Sequence, residues 1–585
     1  MYEWDLSPLY TGFDSPAFQE DSSRLFVLCE QSLKDFPEKK KMSPVAFLEW
    51  LLKSQEEMSN LSSRVFGFIS LSISANTQNV QARQAMVKMQ SLAPKFTLLG
   101  KKFQDYLKDI ADLDAVIDQS AFLKEYRFII HEAKEEVVHS MSVEEEVLTS
   151  ELVQNGSSLW SQMRRQLTSM AEIEFRGKML SLTEIRNLAY SNDSEERKEA
   201  YQKELEIYRK IEEPMSFAIS GIKGQVNTLS RYRHFDDPLA EALFNSRLKK
   251  ETLDALLAAM KDYLPVFRKY LKHKGQILGH NKGLPWYDLF APMGRSDKKY
   301  TVEEAQAFIL KQFGTFGEEL RATAEKAFKQ NWIDYLPRKA KVGGAFCSNN
   351  RAIRESRILS NFGGEIGDVI TLAHELGHAY HGEQIFKEAP LNSNYTMPVA
   401  ETASTLCETI VKKAAYKEAA SKEEKVHILE QELQDVTQVI VDIYSRFLFE
   451  SSVFKAREKS IPSATDLNNL MLDAQKEAYG DGLDNEYLNP GMWINKSHYY
   501  SGGLSFYNFP YAFGLLFAKG IYAKYLAEGK GFVEKINQVL RSTVKMNVED
   551  VAATIGIDIT QKAFWEEGLR TIVADIEEFI NLTNA

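Results

Sequence analysis

The stretch Thr371–His381, T-L-A-H-E-L-G-H-A-Y-H, sets the tightest limit on what this chain can fold into. Within it lies His-Glu-x-x-His, with His374 and His378 four apart and Glu375 beside the first. Four residues make a little over one helical turn, so on a helix both imidazoles leave the same face. Such a pair supplies two corners of a tetrahedral zinc site and keeps Glu375 within reach of a water held at the metal. The flanks agree with a helix. Val369, Ile370, Leu372, Ala373 and Leu376 offer apolar surface, while Thr371, His374, Glu375, His378 and His381 form a polar stripe. Gly363, Gly364 and Gly367 with Asp368 read as a loop and N-cap ahead of it. Gly377 costs about 1 kcal/mol against Ala inside a helix, which predicts another backbone packed at that point.

A hydrolytic zinc site takes three protein ligands and leaves a fourth position open. Pro398-Val-Ala-Glu401 opens a second predicted helix, with Pro398 near its first position and Glu401 in its first turn. A carboxylate there is favoured by the helix dipole and stays ionised, so Glu401 is the expected third ligand. A plain dipole-compensating surface residue is the competing reading. Glu408, seven residues on, is placed to hold an imidazole by a hydrogen bond. The stretch from His498 to Tyr511 joins a histidine and several phenols to Gly502-Gly503. Glycine freedom there suggests a loop that closes on a substrate, and neutral His and Tyr groups can donate to a developing oxyanion. Packed core aromatics are the alternative for any one of these tyrosines. His381 reads as a partner to the site, a substrate contact or a surface residue.

The rest of the chain narrows the class. Its net charge of −11 argues against nucleic-acid and anionic-membrane partners, both of which favour excess Lys and Arg. Three widely spaced cysteines imply no disulfide framework and fit a reducing cytoplasm. The opening residues show no basic-then-apolar signal pattern, and Tyr511–Leu526 is too interrupted by Gly and Lys to span a bilayer. Helix signals dominate: Ser43-Pro44 before an apolar run, and capping boxes at Ser142/Glu145, Ser181/Glu184 and Thr301/Glu304. Helical stripes run through Tyr201–Ile211, Leu253–Leu271 and Phe564–Ile580. Strand signals are confined to Val342–Cys347 and Arg357–Phe362, with Asn349-Asn350 as a turn between them. The expected fold is therefore mostly α, with a small sheet against the metal helix. A polar break at 191–194 divides an N-terminal helical region, 1–190, from a catalytic region, 191–585.

These residues resemble the oligoendopeptidase F branch of the thimet oligopeptidase family of zinc metallopeptidases. The similarity runs through Thr371–His381, V-A-E-T-A-S-x-x-x-E at Val399–Glu408, His498, and F-Y-N-F-P-Y-A-F-G at Phe506–Gly514. Upstream it includes W-D-L-S-P-L-Y at Trp4–Tyr10, W-Y-D-L-F-A-P at Trp286–Pro292 and G-A-F-C at Gly344–Cys347. The resemblance implies one zinc per chain on His374, His378 and Glu401, with Glu375 as general base and His498 and Tyr507 as oxyanion donors. Gly344, Ala345, His381 and Tyr511 complete the residues expected to face substrate. It also implies a two-lobed helical, zincin-type body with a deep channel for short peptides. The glycine-rich loop before Phe506 departs from the tyrosine-bearing thimet version, so the choice between Tyr507 and Tyr511 stays open. The implied activity is cleavage of internal bonds in oligopeptides; the strand near Arg357–Phe362 is expected to pair with an extended peptide backbone. A related helical zinc carboxypeptidase and a catalytically silent peptide-binding protein are the rival readings. Side-chain preference, physiological substrate and oligomeric state are not legible in the sequence.

Overall fold

The computed structural model describes residues 2–584 and is built mainly of helices. Local signals act where they were read. Ser43 caps the helix Pro44–Ala75 by accepting from the Ala46 N–H. All three capping boxes close, each with its Ser or Thr and its Glu satisfying the other's backbone. Leu253, Leu256, Met260, Leu264, Phe267 and Leu271 form the buried face of the helix Lys250–Ile277. The break at 191–194 is the start of a 39-residue helix, Ser194–Tyr232, capped by Asp193.

The apolar interior falls into two clusters. One gathers residues from Trp4 to Ile130, and the other runs from Ile173 to Ile580. A three-stranded sheet joins them. Its centre strand, Glu355–Leu359, pairs parallel with Ile333–Asp334 and antiparallel with Phe346–Asn350. Side chains alternate across a strand, and here Ile358 enters the larger cluster while Leu359 enters the N-terminal one. The sheet is thus the seam between two lobes.

Two expectations are corrected here. Asn349 and Asn350 end the outer strand instead of forming the turn, which lies at 351–354 with Arg354 at φ 51°. Tertiary hydrogen bonds override their turn preference: Asn350 donates to the Ser63 carbonyl and Asn349 to that of His378. The strand at Arg357 is also central, with both edges already paired, so it cannot accept a peptide. The available edge belongs to Phe346–Asn350.

The helix carrying the motif is Ile366–Ile385, buried along much of its length. Its cap is Glu365 instead of Asp368. Asp368 sits three residues in and accepts from the Glu365 and Gly363 N–H groups at 2.9 Å each, closing a reciprocal box. This helix packs on the helix Thr402–Glu418, and Gly377 marks the crossing. A Cβ there would stand 2.6 Å from Ser404 Cα and 2.7 Å from the Ala403 carbonyl oxygen. Ala would gain about 1 kcal/mol of helix propensity, but forcing a methyl against backbone costs about 1–3 kcal/mol. Gly377→Ala is therefore expected to lower stability and to loosen metal retention as well, since the displaced helix begins at Glu401 and carries Glu408. Thermal unfolding with and without added metal measures both, and a variant as stable as the parent would show that the helices can slip apart freely. No helix among the described residues is long and apolar enough to cross a membrane.

Candidate active site

The motif helix brings His374 and His378 onto one face, as the four-residue spacing requires. Their Nε2 atoms lie 3.2 Å apart. Glu401 sits where the short helix Met397–Ala400 meets Thr402–Glu418, and a Ser404 hydroxyl 2.8 Å from its Oε2 fixes the carboxylate. That Oε2 stands 3.3 Å from His374 Nε2 and 3.4 Å from His378 Nε2. Donors about 2.0–2.1 Å from a tetrahedral zinc are about 3.3–3.4 Å from each other, so the triangle fits one such ion. Among the described residues it is the one group of three His, Cys, Asp or Glu donors close enough to share a cation.

The electrostatics call for a positive charge at the same point. Burial works against protonating His374, yet Glu401 and Glu408 outweigh it and hold the imidazole up to about 10. Burial likewise disfavours the Glu401 carboxylate, but the two imidazoles hold it far below the usual carboxylate range. His374 Nδ1 meets Glu408 at 2.9 Å, leaving Nε2 for the metal. Glu408 is itself held: Lys412 lies 3.4 Å away, and Lys412 pairs with Glu432, which pairs with Lys519. Lys412 escaped the sequence reading although it stands four residues after Glu408. Glu432 and Lys519 lie on other helices, and nothing local marks them.

Glu375 is 6% exposed, and its carboxyl is raised above the ordinary range, first by burial. The outer strand lies against this residue. Its Cys347 thiol is pushed well up by burial and then by the Glu375 charge, so it remains a thiol. Gly344 and Ala345 precede that strand, and Gly344, at φ 79°, has its carbonyl held by Asn361 at 2.7 Å.

His498, Tyr507 and Tyr511 come together. The His498 and Tyr507 rings stack at 5.3 Å, and Tyr511 meets Tyr507 edge-on at 5.8 Å. Burial lowers His498, so its ring is neutral, and burial with Tyr507 pushes Tyr511 up to about 12. The helix bearing Tyr511, Phe509–Glu528, touches the third donor through Gly514, where a Cβ would be 3.0 Å from Glu401 Cβ. The loop before Tyr507 is docked instead of free. Phe506 packs on Phe447 and Phe454 with φ at 54°, and a Cβ on Gly502 would meet the Ser157 hydroxyl at 2.3 Å.

His381 requires a correction. It has no exposed surface, and its Nε2 donates toward the Leu540 carbonyl at 3.2 Å, with the Thr543 hydroxyl at 3.0 Å. Its ring stacks on Tyr395 at 4.4 Å, and burial pulls the imidazole down to about 3. A neutral, enclosed ring of this kind packs the motif helix and does not meet substrate. The helical period placed it on the polar face, but the helix at 533–542 covers that end.

A sequence model of peptidase family M3 matches residues 187–571. Among curated proteins, the chain is 25% identical to the oligopeptidase PepF of Bacillus subtilis over 79% of its own length and 69% of the relative's. It is 24% identical to the group B oligopeptidase PepB of Streptococcus agalactiae over 99% and 97%. Among solved structures, a chain from Chlamydophila abortus superposes with a TM-score of 0.84 at 22% identity, covering 99% of this chain and 98% of that one.

Proposed function

The chain belongs to peptidase family M3, and from that premise we infer that it is a zinc-dependent endopeptidase cutting internal bonds of short peptides. One observation carries the reading: the donor triangle of His374, His378 and Glu401, with the buried carboxyl of Glu375 next in sequence to its first member. When bound, the zinc supplies Lewis acidity, polarising the scissile carbonyl and acidifying the attacking water. Glu375 takes the proton of that water and returns it to the leaving amine, a transfer helped by a carboxyl raised above its usual range. Glu408, anchored by Lys412, keeps His374 in the tautomer that presents Nε2. His498 and Tyr507 donate to the oxygen that becomes negative, and Tyr511 stands behind Tyr507.

The substrate backbone adds as a strand to the free edge of Phe346–Asn350, a mode of binding that ignores side-chain sequence. We take the seam between the two lobes as the floor of a channel that admits peptides and excludes folded proteins. Three unpaired cysteines, Cys29, Cys347 and Cys407, fit work in a reducing cytoplasm.

The test is product analysis on peptides of about ten residues with blocked C-termini. Internal products are expected, with activity lost to a chelator and restored by one zinc per chain. Removal of single residues from free C-termini, with blocked peptides untouched, would instead identify a carboxypeptidase. A disulfide-stapled folded protein is expected to survive where its tryptic peptides are cut.

A further inference from the structure

Lys496, two residues before His498 in the chain, lines a second polar space that the mechanism above does not use. It is a cavity of about 390 Å³ lined by Arg186, Tyr201, Glu204, Gln438, Asp442 and Lys496, among others. Two links tie it to the catalytic region. Lys496 lies two residues before His498, and Asp435 on the cavity wall is 3.5 Å from Lys412, the group that anchors Glu408. One wall is a single π-helical turn, Gln438–Asp442, a distortion that recurs at functional sites.

The charges in this cavity are matched with one exception. Arg186 pairs with Glu204 at 3.1 Å, and Arg197 with Asp288 at 2.7 Å. Glu204 also accepts from the Tyr208 hydroxyl at 2.5 Å, and Asp442 pairs with Arg446 at 2.5 Å. Lys496 alone among the cations lining the cavity has no hydrogen bond or ion pair from its ammonium to any described residue. Glu204 and Asp442 are near enough to act on it, but both are already engaged. Burial, followed by Arg446, pulls the ammonium down to about 8, as befits a half-buried cation without a counter-ion. A half-buried, unpaired ammonium is costly to keep unless something anionic comes to it.

The chemistry of the substrate supplies the anion. Pairing on a strand edge reads main chain and gives no measure of length. Each unblocked short peptide carries a terminal carboxylate, whereas a loop of a folded protein presents none. We propose that this cavity is a carboxylate subsite in which Lys496 receives the C-terminal carboxylate of the peptide being cut. The proposal rests on the peptidase reading given above. It makes the enzyme sensitive to the distance between the scissile bond and the end of the substrate, and Lys496 a specificity residue instead of a catalytic one.

The experiment uses the zinc-loaded full chain and three peptides of one core sequence. One ends as the free acid, one as the amide, and one as an amide whose last residue is Glu. Cleavage is followed by mass spectrometry for the parent enzyme, Lys496→Met and Lys496→Arg. The parent is expected to prefer acid over amide by roughly tenfold in kcat/KM, mostly through KM, the scale of one charge-assisted hydrogen bond. That ratio should fall to about one in Lys496→Met and return in Lys496→Arg. Using the ratio separates recognition from any disturbance of nearby His498, which would slow acid and amide alike. A parent ratio near one, or an equal ratio in parent and Lys496→Met, overturns the subsite. Faster cutting of the Glu-ended amide than of the acid also overturns it, because the cavity would then read an acidic side chain. If the zinc-loaded parent cuts no peptide at all, the peptidase reading itself fails. Cutting of all three at one rate removes only the subsite.

Discussion

Glu375→Gln is expected to keep its zinc and to lose about 10²–10⁴-fold in turnover, the range for removal of a general base. The amide fills the same buried space and can still accept a hydrogen bond, but it cannot take up a proton. Glu375 is 6% exposed and contributes no atom to the donor triangle, so metal content should not change. Glu401→Ala is the contrasting variant. It reduces the three proposed protein ligands to two and releases Ser404 from its carboxylate partner, so zinc should be lost on dialysis. Metal analysis and kinetics on the same samples distinguish the cases. A Glu375→Gln enzyme with near-parental turnover would remove the residue from the mechanism. A Glu401→Ala enzyme that holds zinc as tightly as the parent would move the ligand role elsewhere.

The second large effect concerns His498 and Tyr507, the proposed oxyanion donors. Tyr507→Phe and His498→Ala should each lower kcat by about 10²–10³-fold with KM nearly unchanged, since an interaction made only in the transition state does not help substrate bind. The two rings stack at 5.3 Å, so the groups are neighbours. Two donors to one oxygen act together, so the double variant should lose less than the sum of the single losses. Steady-state kinetics on a quenched peptide, with zinc measured in parallel, gives the answer. A silent Tyr507→Phe beside an impaired Tyr511→Phe would transfer the role to Tyr511, whose ring lies 5.8 Å from that of Tyr507.

What the sequence revealed and what it concealed divide along a physical line. Features set by neighbours within a helical turn were legible: His374 with His378, three capping boxes, and a glycine at position 377 that needed another backbone beside it. Glu401 was placed by its position at a helix start, although the helix breaks at that residue and restarts. Features set by partners far along the chain were not legible. His381 carries the right period for the polar face, yet the segment at Leu540–Thr543 closes over it. Asn349 and Asn350 have turn chemistry, but carbonyls from two other helices draw them into a strand. The unpaired state of Lys496 depends on five side chains from three other segments having already chosen one another, and no local pattern encodes that.

The contact at Gly377 has a bearing on which ions the protein can use. Two of the proposed ligands ride on one helix and the third begins its neighbour, and those helices touch backbone to backbone. That contact fixes the backbones carrying the three candidate donors, whose atoms lie 3.2–3.4 Å apart. Calcium needs six to eight oxygens at about 2.3–2.6 Å, and this donor group offers a single carboxylate. A group of two imidazoles and one carboxylate thus suits a small borderline cation better than a large hard one, and the close approach at Gly377 helps to keep that group together.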